Sequence, residues 1–106
     1  RRVLFRSKSF SNSAPIGPIH TAAKVGHLSA AMISLTVNNQ PRQSSDIAKM
    51  IWSVAESIAY LSQYETLQPG DVIMTGTPEG VGAVVPGDIM HGHIDGLGDI
   101  VVSIAT

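Results

Sequence analysis

The tightest constraint on this chain is its punctuation. Pro-Gly-Asp occurs at 69–71 and again at 86–88, and the stretch DVIMTGTPEGVGAVVPGD (71–88) holds six glycines and prolines between two hydrophobic runs. Proline at the first centre of a turn pre-sets φ, and glycine at the second supplies the positive φ of a type II turn. Each triplet is therefore expected to launch a strand. The first would be a buried one, Val72 to Thr75, and the second would run to about Ile94. Asp95, Gly96 and Gly98 mark another turn before a last strand, Ile100 to Ala105.

The first half reads differently. Residues 8–22 are rich in Ser, Pro and Gly, which predicts an irregular or extended path. From Met32 to Val37 the chain alternates, Met32, Ser34 and Thr36 against Ile33, Leu35 and Val37, the pattern of a half-buried strand. Asn38 and Asn39 tolerate the left-handed conformation and close a tight turn, so Arg42 and Gln43 should begin the return strand. Ser53 and Glu56 form a capping box at the head of the one strong helical pattern, with Val54, Ile58 and Leu61 on one face. The helix is expected from about Val54 to Tyr64, after a short turn over Ile47 to Trp52, with Met50, Ile51 and Trp52 in the core. The sum is a β-rich α+β chain with one main helix and no internal linker.

With 106 residues the chain suits one domain or a piece of one. Seven basic residues against eight acidic leave a net charge of -1 without a basic stripe, which argues against nucleic acid as a partner. There is no cysteine, hence neither a disulfide framework nor a thiolate metal site, in keeping with a cytoplasmic location. No apolar run approaches the roughly 18 residues of a membrane span. The opening RRVLFRS lacks a Met and matches the translation of a sequencing adapter. Residues 1–7 are therefore expected to be a non-native leader, with the native sequence starting at Lys8.

Gly76, Gly80 and Gly82 do not make a phosphate loop, because no helix opens after them and no Gly-Lys-Ser/Thr is present. What the stretch does offer is a pair of hydroxyls, Thr75 and Thr77, beside the unobstructed amide of Gly76. That arrangement could hold a small carboxylate, although local evidence alone favours a plain turn. His91 and His93 share one strand face and could bind a metal, but no third ligand is evident; a surface pair is the commoner arrangement. Asp46, Asp71, Asp88 and Asp95 all fall where capping and turn chemistry explain them. Lys8 stands alone beside Phe10, and His20 and His27 offer no spacing argument.

Taken in order and spacing, KSFSNSAPIGP, VNNQPRQSSDIAKMIWSVAESIAYLSQYETLQPGDVIMTGTPEGVG and VPGDIMHGHIDGLGDI resemble the C-terminal half of the fumarylacetoacetate hydrolase family, over nearly all of residues 8–106. The Met50-Ile51-Trp52 run and the HGHIDGLG tail look most like the fumarylpyruvate hydrolases of the gentisate route of aromatic breakdown. The resemblance implies a mixed, rolled β-sheet of the family's own type, usually dimeric. It implies an enzyme that hydrolyses a carbon-carbon bond in a 1,3-diketo acid, here fumarylpyruvate to fumarate and pyruvate, with a divalent metal, Mg²⁺ or Mn²⁺.

Carried over singly, Lys8 matches the family lysine that stabilises developing negative charge, and Thr77 with the Gly76 amide matches the grip on the substrate carboxylate, Thr75 standing beside them. The family's metal-binding carboxylates lie upstream of the lysine, outside this sequence, so 8–106 alone is expected to be inactive. Asn12 stands where the family commonly has threonine and Ser11 where it often has aspartate, which puts those contacts in doubt. Two same-family alternatives are an acylpyruvase and a dienoate isomerase or decarboxylase. A further alternative is a small non-catalytic β-barrel binding module.

Overall fold

The computed structural model describes residues 12–105. A one-turn helix, α1 (Ala22–Val25), precedes the strands β1 (Met32–Val37) and β2 (Gln40–Asp46). A 3₁₀ turn (Ile47–Lys49) and helix α2 (Val54–Leu61) follow, then β3 (Ile89–Ile94) and β4 (Gly98–Ser103). The strands form one sheet in the order β2-β1-β3-β4. All three pairings are antiparallel, so the mixed roll implied by the resemblance has no parallel pair among the described residues.

The first hairpin turns where two asparagines allow it, with φ of 51° at Asn38 and 66° at Asn39. Positive φ at both central residues is the hairpin geometry that matches strand twist. The Asn38 side chain also ties this turn to the head of β3: its amide nitrogen donates to Asp88 (2.8 Å), and its amide oxygen accepts from the Ile89 N–H (2.9 Å). The return strand starts at Gln40 and runs through Pro41, earlier than the Arg42 start expected. It can do so because β2 is an edge strand, where proline's missing N–H costs no ladder bond. Gln43 faces Leu35 while Pro41 faces Thr36, which leaves Arg42 as the extra residue of a bulge.

Both Pro-Gly-Asp triplets close alike. The Asp71 N–H donates to the Gln68 carbonyl (3.1 Å) and its carboxylate accepts from the Gln68 N–H (2.8 Å). Asp88 does the same with Val85, at 3.1 and 3.0 Å. Gly70 and Gly87 take φ of 92° and 93°, as the turn type demands. The second turn feeds β3 as expected. The first does not feed a strand: residues 72–75 join no ladder, and Val72 and Met74 are 64% and 70% exposed. Apolar, β-branched sequence sets a propensity, but a strand also needs a partner edge, and this segment meets none among the described residues.

Helix α2 starts where the capping box puts it. Ser53 Oγ accepts from the Glu56 N–H (3.1 Å), and the Glu56 carboxylate accepts from the Ser53 N–H (2.9 Å). Regular helix ends at Leu61, short of Tyr64, and residues 62–64 continue as turn. Trp52 meets Tyr60 edge to face and Tyr60 meets Tyr64 at a tilt, with ring centroids 4.8 and 5.3 Å apart. No residue of α2 is buried. The core expected at Met50 to Trp52 is absent: Ile51 is 95% exposed and Trp52 half exposed. Among the described residues only Ala31 and Val37 are buried.

Candidate functional site

The register divides the sheet into two unlike faces. One row runs Gln43, Leu35, Gly92, Ile100, and the next carries Ile33 and Ile94. This apolar face, with Gly17 lying against Ile100, floors a cleft of about 350 Å³. At one end of the cleft stands the corner Gly76-Thr77-Pro78. The expected site residues Gly76 and Thr77 both line this cleft. Thr75 does not line it, and Lys8 lies outside the described residues.

What holds the corner there is Gln43. Its side-chain nitrogen donates to Thr77 Oγ1 (2.9 Å) and to the Pro78 carbonyl (2.6 Å). Gly80 lies beside the same strand, its φ +106°. A Cβ built there would fall 2.1 Å from the Arg42 carbonyl oxygen, so only glycine allows this approach. Gly76, with φ +101°, has open space where its side chain would be, and its N–H donates to nothing among the described residues. The exposed corner thus places, among the described residues, one amide without a partner and one hydroxyl at a mostly apolar cleft, whose lining also includes His20, Ser34, His93 and Asp99. Such a site can orient a small acid, with donors for the carboxylate and apolar walls for the carbon chain. Gln43 was not singled out from sequence. Nothing in its spacing distinguishes it from any strand glutamine, and its partners are 34 and 35 residues away.

The opposite face is polar. His91 and His93 do share it, as period two requires, and both reach Asp99 on β4. His91 Nε2 is 2.7 Å from Asp99, His93 Nδ1 pairs with the other Asp99 oxygen, and His93 Nε2 lies 2.9 Å from Asp95. Hydrogen bonds to Asp99 first, then to Asp95, raise the His93 pKa. Those from His93 and His91 lower that of Asp99. Asp95 thus does more than turn chemistry, whereas Asp46, Asp71 and Asp88 each accept a backbone N–H as expected. The described residues hold no group of three or more His, Cys, Asp or Glu able to hold a metal ion, so the ligand set of a divalent metal does not fit here. No helix among them is long and apolar enough to cross a membrane.

A family profile described as "Fumarylacetoacetate (FAA) hydrolase C-terminal" matches residues 2–105. A fumarylpyruvate hydrolase of Ralstonia sp. is 56% identical over 72 residues, covering 68% of this chain and 38% of the relative. An oxaloacetate tautomerase of Escherichia coli is 41% identical over 92 residues, 86% of this chain and 42% of the relative. The crystal structure of fumarylpyruvate hydrolase from Pseudomonas aeruginosa, in complex with Mn²⁺ and pyruvate, superposes with a TM-score of 0.90 at 55% identity. It covers 92% of this chain and 42% of that one. The chain thus spans about two-fifths of the length of the proteins it matches.

Proposed function

The chain belongs to the fumarylacetoacetate hydrolase family, and from that premise we propose that it is the C-terminal part of a fumarylpyruvate hydrolase. The observation that carries the reading is the corner where Gly76, whose N–H has no partner among the described residues, and Thr77 both line the largely apolar cleft. These two donors bind the carboxylate of the keto acid, and the aliphatic wall of Leu35, Ile94 and Ile100 takes the unsaturated chain. Water adds to the carbonyl next to the bond that breaks. The electron pair of that bond leaves on the pyruvate fragment as its enolate, which takes up a proton, and the other fragment departs as fumarate. Within this reading Lys8 offers a fixed ammonium where negative charge accumulates. A divalent metal, as in the Mn²⁺ complex of the relative, would draw its ligands from the portion of the enzyme preceding Lys8. The same reading makes the full-length enzyme a cytoplasmic homodimer.

The test is loss of fumarylpyruvate absorbance on addition of the full-length enzyme, with oxaloacetate tautomerisation assayed in parallel. Faster turnover of fumarylpyruvate is expected, and a tautomerase activity that dominates would replace this reading. Thr77→Val should raise KM for fumarylpyruvate about tenfold, the worth of a hydrogen bond to a charged group. An unchanged KM would remove the carboxylate from this corner.

A further inference from the structure

Gln43 lies on the apolar face of an edge strand, directly after the bulged Arg42, and turns its amide to the corner rather than to solvent. Which end of that amide faces the corner is settled by chemistry. The atom 2.6 Å from the Pro78 carbonyl oxygen must be the nitrogen, because a carbonyl only accepts. The same nitrogen lies 2.9 Å from Thr77 Oγ1 and carries a second proton, which that oxygen accepts. A hydroxyl that accepts from one side directs its own single proton elsewhere. Thr77 is exposed and lines the cleft beside Gly76, so that proton is free to serve a ligand bound there.

We propose that Gln43 is a positioning residue: by donating to Thr77 Oγ1 and to the Pro78 carbonyl, it fixes the Thr77 hydroxyl as a donor into the cleft and so makes the corner selective for a carboxylate. The proposal rests on the reading that this corner binds the substrate's acid group. Its content beyond that reading is polarity. A threonine hydroxyl left to rotate can either donate or accept, and so can meet neutral carbonyl, hydroxyl or amide groups as readily as an anion. With Gln43 in place both corner groups are donors, and an acceptor-only ligand fits best.

Gln43→Glu keeps the shape and reverses the polarity. The carboxylate would take the Thr77 proton for itself and leave Thr77 Oγ1 presenting lone pairs to the cleft. In the full-length enzyme this variant should raise KM for fumarylpyruvate at least about tenfold, with kcat changed far less, and raise the Ki of pyruvate in proportion. The neutral probe pyruvamide should lose little. Gln43→Met, which removes the donor without adding a charge, should give a smaller rise in KM and serves if the glutamate variant folds poorly, as judged by circular dichroism. In a Thr77→Val background Gln43→Met, which brings no charge, should alter KM little further, because the hydroxyl it acts through is gone. Thr77→Val raising KM while both Gln43 variants leave it unchanged would overturn the positioning role and spare the corner as the binding site. So would Gln43→Met and Thr77→Val effects that simply multiply. Thr77→Val without effect would overturn both.

Discussion

Single residues here do their work through short polar contacts more than through burial. The His91–Asp99–His93–Asp95 network is the densest, and it lies on the exposed face of β3 and β4. His93 is held above its ordinary 6.5 by Asp99 and then Asp95, so the stabilisation it adds is complete below pH 6.5 and is lost as pH rises through its raised folded value. Asp99 is held below its ordinary 3.8, so its share is present above that pH and is lost as pH falls through the lowered value. The β3–β4 pairing should be tightest between those limits. An NMR titration should place the His93 midpoint above 6.5, and Asp99→Asn should bring it down. A midpoint that ignores the substitution would show that the carboxylate does not act on this ring. The sequence placed both histidines on one face but did not reveal Asp99 as their partner, because that contact depends on the register of β3 against β4.

Among the elements, the turns decide where the corner stands. Asp71 and Asp88 lock their Pro-Gly turns from both sides, and the bulge at Arg42 brings β2 against the 76–80 loop. Gly80 is the tightest point of that approach. Gly80→Ala would set a methyl 2.1 Å from the Arg42 carbonyl oxygen at a φ of +106°. Strain of this kind costs on the order of 1–3 kcal/mol, and the loop can relieve it only by leaving β2. The expected outcome is loss of both Gln43 hydrogen bonds, visible as a shift of its side-chain amide resonances, together with a raised KM in the full-length enzyme. Unmoved resonances would mean that the corner is not clamped by β2. Most of these elements were legible: the asparagine hairpin, the capping box, the Pro-Gly turns and the β3 strand all form at the residues that signal them. Val72 to Thr75 is the exception, since its apolar pattern is real but pairing is not a property of one segment.

For the molecule as a whole, the imbalance between apolar content and burial dominates. The radius of gyration is 15.5 Å, against about 13 Å for a compact domain of 100 residues. Val72, Met74, Val81, Val85 and Ile51 are all exposed, and among the described residues β2 and β4 end the sheet with no further strand beside them. Apolar surface of this extent and open strand edges both promote association. The 106-residue chain on its own should therefore run in size-exclusion chromatography with light scattering well above its 11.2 kDa mass. A clean monomer with a cooperative melt would show that this small core suffices. The chain spans about two-fifths of its relatives' length, which agrees with a surface that is completed by further polypeptide in the proposed enzyme.

By itself the sequence determined what depends on neighbours along the chain: which residues turn, where α2 is capped and that β1 alternates. It also carried enough motif, from Pro69-Gly70-Asp71 through Thr77-Pro78 to Gly82, to mark the family. Tertiary structure alone decided that Gln43 reaches Thr77, that one aspartate joins two histidines, and that a strand-like segment meets no partner strand among the described residues. Turn and cap signals act over three or four residues, where backbone sterics leave few choices. The Asp99 contacts depend on the register of β3 against β4, and the Gln43 contacts, across more than thirty residues, depend on the path of the chain between them; no local pattern encodes either.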